Sequence, residues 1–229
     1  MRYKKMIEGV FLKRPNRFIA HVLINGIEEI AHVKNTGRCA ELLIPGAKIL
    51  LEDASDNPNR KTKYSLISVW KGDMLVNMDS QVPNAVVAHA LKENKVEGFK
   101  DLVKVKREVT FGQSRYDIYF ETHGEKGFIE VKGVTLEKDG IAMFPDAPTE
   151  RGSKHALEMV KAIEEGYTGI IFFLIQMKGP RSFRLNSEMD QRFSESVKYA
   201  VNNGVRVLVY DSIVGKETIE IGKPIEFIP

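Results

Sequence analysis

The chain has 229 residues, of which 43% are hydrophobic and 28% are charged. This composition is typical of a folded globular protein with one large or two small domains, and it argues against a disordered chain. The longest apolar run, at 169–175, is far shorter than the roughly 20 residues of a membrane-spanning helix. No signal-peptide core follows the basic start, so we expect a cytoplasmic protein without a membrane partner. Cys39 is the single cysteine, which excludes an intrachain disulfide and a cysteine-based zinc cluster.

The net charge of +3 is unevenly distributed along the chain. Up to Pro83 there are 13 Lys and Arg against 9 Asp and Glu, whereas the remainder has 21 against 22. A basic excess in the first third suits a module that contacts nucleic acid. Ordinary scatter produces differences of this size too, so charge alone does not decide the matter.

Residues 6–82 follow the pattern of short β-strands. Apolar stretches alternate with turn signals at Pro15-Asn16, Asn25-Gly26 and Pro45-Gly46. About five strands over this length predict a small closed β-barrel of the OB type. A short helix at 37–41 is the one exception that the pattern leaves open. We therefore predict an OB-fold-like nucleic-acid-binding domain over residues 1–83.

The pattern changes after Pro83, and we predict an α/β domain over residues 84–229. A helix is expected at 84–96, with Ala85, Val86, Ala88 and Leu91 on its apolar side. Strands are expected at 103–111, 116–121, 126–134, 141–144, 170–177 and 205–210, helices at about 150–165 and 187–202, and a short β tail at the end. This order predicts a mixed α/β core with helices on both faces.

Two carboxylates and a lysine occur on neighbouring predicted strands. Asp117 and Glu130 both lie in apolar runs, where a charge is costly unless it is paired or bound to a metal. Glu130 and Lys132 share one face of their strand because side chains alternate with a period of two. If the two strands pair as a hairpin, Asp117 reaches that face. This pattern is typical of a PD-(D/E)xK nuclease core.

In that interpretation Asp117 and Glu130 are metal ligands as well as catalytic residues. By analogy with the motif, the Val131 carbonyl supplies a third oxygen to Mg²⁺ or Mn²⁺. Lys132 would orient the attacking water or hold the scissile phosphate. The alternative is a structural cluster in which the carboxylates form salt bridges with Lys132 or Arg115.

Further candidates surround this motif. Glu108 and Asp146 are candidate supporting acids, although a surface glutamate and an Asx-turn residue are equally ordinary interpretations. The segment from Pro145 onwards reads as a loop followed by a helix start, where phosphate is attracted by the helix dipole and by free N–H groups. An ordinary capped helix is the alternative. Its candidate nucleic-acid contacts are Thr149, Arg151, Lys154 and His155, with Arg115 from the neighbouring strand and Gly152 allowing close approach.

Basic residues of the first domain are candidates for tracking a nucleic-acid backbone. They are Lys13, Arg14, Arg17, Lys34 and Arg38. Phe18 or Tyr64 would stack on bases. Most aromatic residues at strand spacing belong to a core, so the stacking role competes with simple packing.

Four stretches resemble the sugar fermentation stimulation protein (SfsA) family. They are NTGRCAELLIPG at 35–46, GQSRYD at 112–117, EVKGVTL at 130–136 and AMFPDAPTERGSKH at 142–155. The resemblance spans both predicted domains. It implies an N-terminal OB domain, a nuclease-like PD-(D/E)xK domain, DNA binding and an association with the regulation of sugar-metabolism genes. Asn35 departs from the histidine that is usual before Thr-Gly-Arg.

Two hypotheses follow from the sequence. In the first, the chain is a Mg²⁺-dependent or Mn²⁺-dependent nuclease whose OB domain holds DNA. In the second, it is a non-catalytic DNA-binding regulator of sugar-metabolism genes that retains the nuclease-like fold. A third possibility, a small-molecule or RNA-processing enzyme on the same fold, stays open because a fold does not fix its substrate. The sequence leaves the choice between DNA and RNA open, and oligomerisation as well.

Overall fold

The structure is a computed structural model that describes residues 1–35 and 37–229. Thr36, which belongs to the first stretch of family resemblance, lies outside the described residues. The chain folds into an N-terminal β-barrel followed by an α/β domain, as the sequence predicts. No helix in the described part of the chain is long and apolar enough to cross a membrane.

Six strands build the first domain in the part of it that the structure describes. They are β1 (Met6–Asn16), β2 (Ile19–Ile24), β3 (Ile27–Val33), β4 (Lys48–Asp53), β5 (Tyr64–Lys71) and β6 (Met74–Asn77). The sheet runs in the order β3-β2-β1-β4-β5-β6, and a parallel pairing of β3 with β5 closes five of these strands into a barrel. This closure confirms the predicted OB-type fold. The short helix that the sequence left open at 37–41 is absent, because these described residues form turns, with Leu42 and Leu43 both bonding back to the Cys39 carbonyl.

The second domain is a six-stranded mixed sheet with helices on both faces, as predicted. Its elements are α1 (Pro83–Lys92), β7 (Lys104–Phe111), β8 (Ser114–Glu121), β9 (Lys126–Val134), β10 (Leu136–Lys138), β11 (Ile141–Phe144), α2 (Glu150–Glu164), β12 (Thr168–Ile175), β13 (Ser182–Leu185), α3 (Gln191–Asn202), β14 (Arg206–Val214), β15 (Ile219–Pro224) and β16 (Glu226–Ile228). The main sheet has the order β15-β14-β12-β9-β8-β7. A smaller sheet, β10-β11-β13-β16, was not predicted as a unit.

Alternation along the central strand β12 supplies both hydrophobic faces. Ile170, Phe172 and Leu174 pack with α1, whereas Ile171 and Phe173 belong to the cluster that contains the α2 and α3 residues. The cluster that contains the α2 and α3 residues also includes the interior of the barrel. The two domains therefore share one continuous apolar core on that side of the sheet.

Two predicted helix boundaries were wrong. The last helix begins at Gln191 rather than near Ser187, because Asp190 caps it by accepting a hydrogen bond from the Phe193 N–H. The first helix ends at Lys92 rather than at Val96, and Asn94, with a positive φ of 54°, follows that end.

Buried polar contacts fix the two domains against each other. Gln176 donates to the Asn77 side chain and to the Asp79 carbonyl, and Asn77 donates to the Tyr3 hydroxyl. Asp79 also accepts from Lys34 Nζ at 2.8 Å, with both side chains largely buried. The first residues of the chain lie against the second domain, where Arg2 pairs with Thr218.

We predict that Gly127→Ala destabilises the fold by about 1–3 kcal/mol, as overpacking of a core does. A Cβ at this position would collide with the Thr168 carbonyl, where β9 pairs with β12. Gly124→Ala is the matched control, because a Cβ there meets no described atom within 4 Å. Urea unfolding measures both variants, and equal stability of the two would contradict this packing constraint.

Candidate functional site

Strands β8 and β9 part at the position of the predicted motif. Their ladder runs from Glu121–Lys126 to Ile118–Ile129 and goes no further. Beyond that point Asp117 Oδ2 accepts a hydrogen bond from the Val131 N–H at 2.8 Å. The Asp117 side chain thus replaces the β8 backbone as the partner of β9.

The alternation of side chains breaks at the same level of the sheet. Tyr116 packs on the α2 side, whereas Ile118, two residues further along β8, packs on the α1 side. In β7, Glu108 has a left-handed φ of 58°, which is unusual for a residue with a Cβ. Local irregularity of this kind often accompanies a functional site.

Asn84 holds the second oxygen of Asp117. Its Nδ2 donates to Asp117 Oδ1 at 2.6 Å, and Asn84 is the second residue of α1. The Asp117 carboxylate is therefore fixed from two sides, by a helix start and by a strand. Sequence reasoning missed Asn84, and its position in the first turn of a helix next to Pro83 was the only available signal.

Glu130 is buried, with 4% of its surface exposed, and accepts two hydrogen bonds on one oxygen. Lys132 Nζ lies 2.7 Å from Glu130 Oε1, and His155 Nδ1 contacts the same atom. The other oxygen, Oε2, has no hydrogen-bond partner among the described residues. A buried carboxylate oxygen without a donor is costly, which makes it a suitable ligand for a cation.

The two carboxylates differ in their electrostatic environment. Burial and the nearby Glu130 charge raise the pKa of Asp117, and its hydrogen bonds only partly offset this. Burial also acts to raise the pKa of Glu130, but the His155 hydrogen bond and the Lys132 charge outweigh it, so that pKa is lowered. Neighbouring acids with pKa values displaced in opposite directions are typical of catalytic sites.

The donor set fits a hard divalent cation with few protein ligands. Both Asp117 oxygens are carboxylate oxygens with spare lone pairs, and Glu130 Oε2 is free of protein donors within the described chain. No cluster of three His, Cys, Asp or Glu side chains with metal-binding geometry occurs in residues 1–35 and 37–229. A cation here would keep several waters, as Mg²⁺ commonly does.

Comparisons with known proteins agree with this architecture. The SfsA N-terminal OB domain matches residues 12–78, and the sugar fermentation stimulation protein RE domain matches residues 81–218. A sugar fermentation stimulation protein homolog from Alkaliphilus oremlandii is 66% identical over 99% of this chain and 98% of its own length. The chain belongs to the sugar fermentation stimulation protein family. The resemblance found in the sequence is thereby confirmed.

Less similar members of the family match this chain over nearly its whole length. A homolog from Clostridium botulinum is 49% identical over 97% of this chain and 96% of its own length. The structure of Pyrococcus furiosus SfsA in complex with Ca²⁺ superposes with a TM-score of 0.90 at 25% identity, covering 100% of this chain and 98% of that one.

The start of α2 differs from the phosphate-binding loop that the sequence suggested. Thr149 is the N-cap, and its hydroxyl accepts the Gly152 N–H at 3.1 Å. Gly152 is buried, and a Cβ there would meet Thr149 and Phe193, so its small size serves packing. Arg151 and Lys154 are exposed, and Lys154 lies 3.6 Å from Glu158.

His155 is the largest departure from the predicted nucleic-acid contacts. Only 6% of its surface is exposed, and its ring faces the metal-site candidate Glu130 rather than solvent. The apolar side of α2 carries it inward with Ala156 and Met159. A buried histidine cannot contact a phosphate backbone, so we assign it to the carboxylate site instead.

Among the basic residues of the OB domain, Arg14 has an internal role. Its guanidinium donates to the carbonyls of Asn35 and Gly37 at 2.6 and 2.9 Å, and also to those of Arg17 and Arg38. Arg14 therefore holds the loop that carries Arg38. Lys13, Arg17 and Arg38 are exposed, as is Phe18, whereas Tyr64 packs against the core.

The candidate supporting acids lie apart from Glu130 and Asp117 in their contacts. Glu108 forms an exposed ion pair with Arg115. Asp146 Oδ2 contacts Cys39 Sγ at 3.8 Å and lies against Gly37, where the OB-domain loop meets the loop before α2. Asp146 thus joins the two domains, and its spacing from Gly37 leaves no room for a Cβ.

We predict that Glu130→Gln lowers the free energy of unfolding at neutral pH. The pKa of Glu130 in the folded state lies below its ordinary value of 4.5, so its ionised form stabilises the fold above that pH. This contribution is lost as the pH falls through the lowered pKa. Urea unfolding at several pH values should show the difference from wild type narrowing below pH 4.5.

Glu41 provides a control of opposite sign. Burial raises the pKa of this half-buried carboxyl, so its ionisation opposes folding as the pH rises through the ordinary range. Glu41→Gln should therefore leave the fold unchanged or stabilise it at neutral pH. A difference for Glu130→Gln that widens at low pH would contradict the assignment.

Proposed function

We propose that this chain is a divalent-metal-dependent phosphodiesterase that cleaves nucleic acid, with DNA as the substrate. The observation that carries the proposal is the buried Glu130 Oε2, which has no hydrogen-bond donor in the described chain. The Glu130 charge acts on the nearby Asp117 carboxylate, so the two acids form one site. A lysine two residues along the same strand completes the set that the PD-(D/E)xK pattern requires. This arrangement brings two candidate metal ligands and the Lys132 ammonium together at one point of the sheet.

Asp117 and Glu130 would hold Mg²⁺ or Mn²⁺, with the Val131 carbonyl as a further oxygen. When bound, such a cation polarises a phosphate oxygen and lowers the pKa of a bound water. The complex of Pyrococcus furiosus SfsA with Ca²⁺ supports a divalent cation in this family, because Ca²⁺ and Mg²⁺ both prefer carboxylate oxygens.

Lys132 would position the water or the scissile phosphate. Its ammonium is partly buried and is bonded to Glu130 Oε1, so it already lies at the ligand carboxylate. A flexible four-carbon stem lets it turn from Glu130 towards a phosphate oxygen without backbone movement. The fixed Asp117 carboxylate keeps its place meanwhile through Asn84 and the Val131 N–H.

The OB domain would hold the nucleic acid. The exposed Lys13 lies near the end of β1, the exposed Arg17 lies in the turn to β2, and Arg38 lies in the loop that Arg14 holds. Phe18, with 55% of its surface exposed, is placed to stack on a base. The Arg38 loop touches the second domain through Cys39 and Asp146, a contact that would bring nucleic acid held on this loop towards the same side as α2.

A non-catalytic DNA-binding regulator is the second candidate. The observation that favours it is that only two acidic side chains meet at the site, with no third His, Cys or acid completing a metal cluster within the described residues. Such a protein would bind DNA equally well with and without EDTA. A nuclease would lose cleavage in EDTA.

We predict that the purified protein cleaves DNA with Mg²⁺ or Mn²⁺ and that Glu130→Ala or Lys132→Met lowers the rate about 100-fold or more. The first change removes a proposed metal ligand, and the second removes the lysine ammonium that would face the phosphate. Lys138→Met and Glu226→Ala, at exposed positions, are the matched controls. Cleavage of linear, nicked and single-stranded DNA measures the effect, and unchanged cleavage in the site variants would place the reaction elsewhere.

We predict that the double variant Arg17→Ala and Arg38→Ala weakens DNA binding and flattens its salt dependence. Each lost phosphate contact should reduce the slope of log K against log salt concentration by about 0.9 for duplex DNA. Arg192→Ala, exposed on α3, is the control. Fluorescence anisotropy in EDTA measures both, and an unchanged slope in the double variant would exclude this surface.

A further inference from the structure

The hydrogen bonds around His155 determine its tautomer. Arg151 Nε lies 3.4 Å from His155 Nε2, and a guanidinium nitrogen only donates. His155 Nε2 therefore carries the lone pair, and Nδ1 carries the proton that it donates to Glu130 Oε1. The direction of every hydrogen bond from Arg151 to Glu130 follows from the chemistry of the arginine.

The helix explains why these residues are aligned. Arg151 and His155 are four residues apart in α2, so their side chains lie on neighbouring turns of the same face. Thr149 caps this helix, which fixes the first turn, from which Arg151 reaches forward to His155. The His155 ring also packs edge-on at 6.5 Å from the Tyr116 ring, which restricts its rotation.

Two donors converge on one Glu130 oxygen, although a single cationic donor is enough to form an ion pair. Lys132 and His155 both contact Oε1, while Oε2 is left without a donor in the described chain. The Lys132 side chain is the more exposed and flexible of the two, whereas His155 is enclosed. If Lys132 turns away to a water or a phosphate, His155 alone retains Glu130 in its orientation.

We propose that His155, oriented by Arg151, is a positioning residue that fixes the Glu130 carboxylate so that Oε2 remains the free ligand oxygen. The inference rests on the proposed metal site and deepens it. It assigns Arg151 a role in metal affinity that is independent of nucleic acid. It also explains why a helix start predicted to bind phosphate buries its histidine.

The test measures Mn²⁺ affinity without nucleic acid, by the electron paramagnetic resonance signal of free Mn²⁺. His155→Leu removes the donor and should weaken Mn²⁺ binding about 10- to 100-fold, as loss of a residue that orients a metal ligand does. His155→Asn places an amide nitrogen the same number of bonds from Cα as Nδ1, so it should recover most of the affinity. Equal weakening by Leu and Asn would overturn the inference, because a merely structural role does not distinguish them.

Arg151→Met keeps the test decisive if His155→Leu fails to fold, because Arg151 is exposed. It should weaken Mn²⁺ binding in the absence of DNA, whereas Lys161→Met on the same helix should not. Unchanged affinity in Arg151→Met would overturn the inference while leaving the proposed function intact. Absence of Mn²⁺ binding by the unaltered protein would overturn both.

Discussion

The hydrogen bond from the Val131 N–H to the Asp117 carboxylate is the contact on which the candidate site depends. A β-strand that leaves its neighbour exposes N–H groups, and each buried one requires an acceptor. Here a side chain from the departing strand provides that acceptor, so β8 and β9 separate without an unsatisfied donor. The separation makes room for a second carboxylate, Glu130, whose free oxygen then faces no protein donor among the described residues.

The electrostatic environment where β8 and β9 separate differs between Asp117 and Glu130, which favours different roles for the two acids. Burial dominates at Asp117 and raises its pKa, whereas His155 and Lys132 overcome burial at Glu130 and lower its pKa. A cation would relieve the repulsion between the carboxylates, because it interacts favourably with both ionised forms. The raised pKa of Asp117 means that its ionised form opposes folding, and a metal bound as proposed would offset that cost.

The two domains are linked close to this site by contacts that involve the loops rather than the strands. Arg14 satisfies the carbonyls of the loop around Gly37, and that loop contacts Asp146 before α2. Lys34 and Asp79 join the end of β3 to the segment that leads into α1 and Asn84. The residues that would bind nucleic acid and those that hold the carboxylates thus belong to one connected set of loops and helix starts.

The sequence by itself determined the barrel, the α/β domain and the group formed by Asp117, Glu130 and Lys132. Periodic patterns and turn residues are local signals, and charges within apolar runs identify the costly positions. Only the tertiary structure showed that Asn84, from a helix distant in sequence, binds Asp117. It also showed that His155 points inward to Glu130 and that Arg14 donates to the backbone carbonyls of a loop. Direction of a side chain depends on which elements pack together, and spacing along a chain does not contain that information.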